Sequence, residues 1–187
     1  MKPGMTRIPV ADLQQRPPPR GWAPFALGFR PFFLAAGLAG VLLMALWLGI
    51  LLGGIASPAV SPLVWHGHEM VFGFGVAVIA GFLLTAAQNW TGLPTPSGMP
   101  LAALFGVWLA GRLAFLLPGL PAAGVAAADL LFLPLLAFAL ARPILRARQL
   151  HNYPFPLMLL ALFAANVLVH LELLGIFAGA GLGLCLA

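Results

Sequence analysis

A chain of 187 residues that is 62% hydrophobic and only 7% charged cannot cover a soluble domain, whose residues are about 25% charged. Mean hydropathy of +1.05 points the same way, to an integral membrane protein of all-α class, a polytopic transmembrane helix bundle. The net charge of +5 does not indicate nucleic acid, because the basic residues cluster in the first 30 residues and at 142–148, as membrane-topology signals do.

Residues 1–29 read as a Pro-rich tail carrying Pro17-Pro18-Pro19 and lack the pattern of a cleavable signal. Residues 30–187 read as the transmembrane bundle. Apolar runs long enough for a bilayer, roughly 17–25 residues, predict spans at Pro31–Ile55, Leu63–Gln88, Pro100–Leu117, Pro121–Ala141 and Phe155–Ala178. The glycine-rich Gly179–Ala187 reads as the start of a sixth span, giving about five spans plus a partial sixth. Cys185 is the single cysteine, so no internal disulfide and no CxxC motif exist.

Charge fixes an expected orientation. The tail and the loop bearing Arg142, Arg146 and Arg148 face the cytoplasm, and the Ser57–Pro62 and Pro118–Leu120 loops face outside. At about 1.5 Å per residue, His66, Glu69, Arg112, Asp129, His170 and Glu172 then all fall in the outer half of the membrane. Charged groups at membrane depth are costly. A depth shared by so many of them predicts one polar site, or one layer of sites.

The densest signal is Trp65-His66-Gly67-His68-Glu69-Met70, since imidazole, carboxylate and thioether groups hold metals and haem iron. On a regular helix His66 lies about 40° from Met70 and about 60° from Glu69, but His68 points about 160° away from His66. The two histidines share one metal only if Gly67 keeps the segment in a loop; on a helix they serve different partners. Both also have a plainer reading as interfacial residues that cap a helix and bind water. His170 shares a face with Asn166 and is either a metal ligand or a hydrogen-bonded buried histidine. Arg112 and Asp129 fit a structural ion pair, with a haem propionate as another partner for Arg112. Glu69 fits a proton relay, a dipole-favoured first-turn residue or a salt-bridge partner. Gly73, Ala77, Ala80 and Gly81 form a small-residue side on span two that can admit another helix or a flat cofactor. The Arg142–Arg148 cluster is read as a topology determinant able to touch anionic lipid.

Three segments carry a resemblance: Phe29-Arg30-Pro31-Phe32-Phe33-Leu34, then Trp65-His66-Gly67-His68-Glu69-Met70-Val71-Phe72-Gly73-Phe74, then Ala80-Gly81-Phe82-Leu83-Leu84-Thr85-Ala86 followed by Asn89-Trp90-Thr91-Gly92. In this order and spacing the chain resembles the NnrS family of bacterial inner-membrane proteins. The resemblance implies haem and copper as cofactors. It also implies a link to nitric oxide, denitrification and nitrosative stress, and a chain corresponding to the N-terminal half of a longer protein. It names neither a reaction nor a redox partner. It makes His66, His68 and His170 the expected metal or haem ligands, Glu69 a supporting residue and Arg112 the partner of a propionate or of Asp129. The competing expectation is a transporter or channel for a metal, a proton or another small solute.

Overall fold

The computed structural model describes residues 23–55 and 60–176. The tail up to residue 22 and Gly179–Ala187 lie outside the described residues. Those described are all-helical, with no strand among them, and form five helices long and apolar enough to cross a membrane. These are α1 (Phe29–Leu51), α2 (Pro62–Thr91), α3 (Met99–Leu116), α4 (Ala122–Arg146) and α5 (Leu150–Leu173). Only helices satisfy every backbone group within a single segment, which is why apolar runs of this length take this form in lipid.

The helix ends differ from the expected ones for identifiable reasons. α1 stops at Leu51 rather than Ile55, because Gly53 takes the left-handed conformation (φ 75°). Gly53 N–H then donates to the Ile50 carbonyl and Gly54 N–H to the Gly49 carbonyl, at 3.0 and 2.9 Å. This is a Schellman cap. α5 ends the same way at Leu173, with Gly175 at φ 69° and bonds from Gly175 to Glu172 and from Ile176 to Leu171. α4, in contrast, runs past Ala141 to Arg146. Pro143 costs it one backbone bond, and a basic residue in its last turn suits the helix dipole.

α2 is the central helix. Of its most apolar stretch 56% is buried, against 11% for α1, whose Leu34, Leu38, Val41 and Leu42 are exposed. Such an apolar exterior belongs against lipid. α2 packs on α1 on one side and on α4 on another, and α4 also contacts α3 and α5. The small-residue side of α2 admits a helix. A Cβ on Gly81 would lie 2.7 Å from Phe33 Cδ1, so the bare glycine is what lets α1 seat there. Phe32, Ala36, Ala77, Leu84, Leu136 and Leu140 form the apolar core beneath, and Leu43, Trp65 and Phe115 form a smaller cluster toward the other end.

Candidate metal centre

Two helix irregularities build the site. In α2 the α-helical run Pro62–His68 gives way at once to a π-helical segment, Glu69–Gly75. Such wide turns are rare and occur mostly at functional sites. Gly73 makes this one possible, since a Cβ there would meet Glu69 Oε2 at 2.8 Å and Arg112 Nη1 at 3.1 Å. Trp108 on α3 donates its indole N–H to the Gly73 carbonyl at 3.1 Å and ties the segment to its neighbour. In α4 the helix is interrupted at Leu131, two residues past Asp129. Pro134 accounts for the break, because it has no N–H for the Leu130 carbonyl and its ring crowds that group. Gly111 on α3 lets α4 approach here, since a Cβ at Gly111 would stand 3.1 Å from Asp129 Cα.

Around these irregularities six buried polar side chains converge: His68, Glu69, Arg112, Asp129, Asn166 and His170. Asp129 Oδ2 lies 2.9 Å from His170 Nε2 and 3.2 Å from His68 Nε2, and accepts a hydrogen bond from Asn166 Nδ2 at 2.7 Å. Asp129 Oδ1 accepts from Arg112 Nη2. Arg112 Nε lies 3.2 Å from Glu69 Oε2, so one guanidinium stands between two carboxylates. His68 Nδ1 is 3.3 Å from Glu69 Oε1, and its Nε2 is 3.0 Å from Asn166 Oδ1. Phe115 covers both imidazoles, with ring centroids 4.7 Å from His68 and 5.9 Å from His170.

The electrostatics favour a cation. Both ring nitrogens of His68 face oxygen acceptors. Two carboxylates, Glu69 and Asp129, share the single guanidinium of Arg112. Buried charge must be paired, so the centre calls for one further positive charge, which a bound cation or a protonated imidazole supplies. His68, Asp129 and His170 each offer a ligand atom, all within 4.8 Å of one another. Two imidazoles and one carboxylate form a donor set suited to copper, zinc or iron. Glu69, behind His68 Nδ1, completes the carboxylate–histidine arrangement that orients a metal-binding imidazole.

The sequence-predicted residues divide. His68, Glu69, Arg112 and His170 come together, whereas His66 does not join them. His66 and His68 stand on one α-helical run, so they face different partners, as the helical angle requires. His66 stacks on Trp47, with centroids 4.2 Å apart and planes at 14°. Its Nδ1 is buried without a hydrogen-bond partner, like the indole nitrogens of Trp47 and Trp65. Arg112 pairs with Asp129 and approaches Glu69, and its Nη1 is a further buried donor without a partner. Asp129, read from sequence only as an ion-pair partner, also turns its second oxygen to both histidines. Asn166, noted only for sharing a face with His170, bridges His68 to Asp129. The shared depth of Asp129 with the histidines was the signal for its place here.

His170 also lines a small apolar pocket of about 130 Å³ with Val60, Phe115, Leu120, Val125 and Leu173. A water molecule's share of liquid volume is about 30 Å³. The pocket therefore accepts small molecules and excludes a porphyrin, whose class of ligand occupies roughly 300–1,000 Å³. The imidazoles of His68 and His170 meet edge to face, 5.5 Å apart over one carboxylate oxygen, with no slot for a flat macrocycle between them. His68 and His170, both expected as metal or haem ligands, are therefore not placed to hold one haem between them. Two larger pockets, of about 610 and 360 Å³, are lined by no histidine, methionine or cysteine among the described residues.

The family model described as NnrS protein matches residues 23–187. The chain belongs to the NnrS family. No curated protein and no solved structure matches it. Membership together with five apolar helices makes this NnrS chain a multi-pass membrane protein, and it is consistent with a nitric-oxide-related role.

Proposed function

We propose that this chain holds a copper ion at His68, Asp129 and His170 within the bacterial inner membrane, and that it handles nitric oxide or a related small molecule there. The observation that carries the reading is the convergence of two imidazole nitrogens and a carboxylate oxygen within 4.8 Å, in a buried setting where two carboxylates share one guanidinium. The choice of copper among the metals that suit these donors rests on the family likeness.

A copper ion bound here supplies a redox-active centre with affinity for small neutral ligands. The residues do the rest. Glu69 fixes the tautomer and orientation of His68, and Asn166 holds Asp129 Oδ2 toward the two histidines. Arg112 neutralises the outward oxygen of Asp129. Phe72 and Phe115 pack on His68 and exclude water. The apolar pocket ending on His170 suits a neutral diatomic molecule arriving from the bilayer better than it suits an ion. With the arginine-rich end cytoplasmic, the centre lies near the outer face of the membrane. No step is assigned to haem.

Infrared spectroscopy of the copper-loaded full chain under nitric oxide tests this reading. A copper-dependent N–O stretching band that disappears in His170→Ala is the expected result. A loaded wild-type chain that gives no such band contradicts the assignment of nitric oxide to this centre.

A further inference from the structure

The arginine-bearing end of the bundle, opposite the metal centre, contains an open groove of about 610 Å³ between α3 and α4. One wall is the α3 face Pro100, Ala103, Leu104 and Val107, the other is the α4 face Leu135, Phe138, Ala139, Arg142 and Arg146, and residues 93–97 also line the groove. Both follow helical spacing, so each wall is a continuous stripe about two turns or more in length. The groove is apolar along its depth and cationic at its mouth. Arg142 is held over the ring of Phe138, its guanidinium carbon 5.3 Å from the centroid, at the junction of the two regions. Neither arginine is paired with a carboxylate among the described residues, and no acidic side chain lines the groove. Of the four acidic residues in the chain, Glu69 and Asp129 are committed to the metal centre.

We propose that this groove is a binding site for an anionic phospholipid, its phosphate headgroup held by Arg142 and Arg146 and one acyl chain lying against Ala103, Val107 and Leu135. Charge complementarity selects the headgroup, since guanidinium groups grip phosphate through paired hydrogen bonds. The apolar stripe selects a ligand with a hydrocarbon tail. A free phosphate would leave the trough unfilled, and a zwitterionic lipid would leave net positive charge at the mouth. The groove stands apart from the metal centre and does not depend on it.

Native mass spectrometry of the full chain in detergent, titrated with phosphatidylglycerol or phosphatidylcholine, tests the site. Phosphatidylglycerol is expected to bind in preference, and the double variant R142Q/R146Q to weaken it more than tenfold, at about fivefold per arginine. R148Q removes one of the same end's charges from outside the groove and is expected to weaken binding less than the loss of either groove arginine does. A103F adds bulk at an exposed wall position and leaves every charge in place. It is expected to weaken phosphatidylglycerol severalfold, which keeps the test decisive if the arginine variants fail to fold. Equal losses in R148Q and R142Q/R146Q, an unaffected A103F, or full competition by inorganic phosphate at matched concentration would each overturn the proposal.

Discussion

Every oxygen that touches a nitrogen of His68 is an acceptor, and two of them belong to carboxylates. That environment asks for positive charge at the imidazole, and a metal ion meets the need with three protein donors already in place. Glu69 acts through His68, so Glu69→Gln is expected to weaken metal affinity by about 10–100-fold while leaving the ligands intact. Isothermal titration against the wild type measures it. Asp129 has two duties, one per oxygen. Arg112→Met leaves the buried Glu69 and Asp129 carboxylates without their shared guanidinium and is expected to cost about 3–5 kcal/mol of stability. The double variant R112M/D129L, which removes one of the two carboxylates as well, should recover part of that loss in thermal unfolding, yet still bind no metal. An R112M protein as stable as the wild type would show that the pairing of Arg112 with these carboxylates carries no weight. Residue identity made the ingredients of this site legible in the sequence. It could not say which of the two histidines turns inward, because that depends on how α2 is rotated against α3, α4 and α5.

At the scale of elements, the π-helical segment Glu69–Gly75 and the break at Leu131 set the angular position of His68 and Asp129. A π-helical turn accommodates an extra residue, and removing one restores α-helical bonding. Deletion of Val71 is therefore expected to rotate His68 by about 100° relative to the lower half of α2. The bundle should remain folded by circular dichroism, but metal binding should be lost. Retention of metal by the deletion variant would show that the wide turn does not position the ligand. Neither the π segment nor its consequence was readable beforehand. Gly73 and Gly75 are compatible with many helices, and the signal lies in the contact of Gly73 with Glu69 and Arg112. The glycine stops at Gly53 and Gly175 carried a local signal, but the apolar residues beyond them extended the expected spans. The Arg146 end of α4 lies beyond the apolar run that ends at Ala141, because the helix continues into the polar layer.

At the scale of the whole molecule, the five spans were legible because lipid leaves few choices. A long apolar run must be helical, and short loops place successive helices side by side. The common depth of the polar residues was legible for the same reason: depth follows from counting residues along each span. Whether they form one site or a layer of sites was not, because lateral packing of the five helices is set by contacts distant in sequence, such as Gly81 on Phe33 and Gly111 on Asp129. The expected orientation is open to test with a cysteine at position 118 in a Cys185→Ser background. An impermeant thiol reagent on intact cells should label Pro118→Cys and spare Gln149→Cys, and the reverse pattern would invert the topology. The proposed centre is a metal held by His68, Asp129 and His170 without His66. Copper content of the purified full chain, measured by elemental analysis after copper loading and removal of unbound ion, tests this directly. The account predicts copper in the wild type and in His66→Ala, with loss in His68→Ala, Asp129→Asn and His170→Ala. Copper retained in His68→Ala and His170→Ala, or lost in His66→Ala alone, would contradict it.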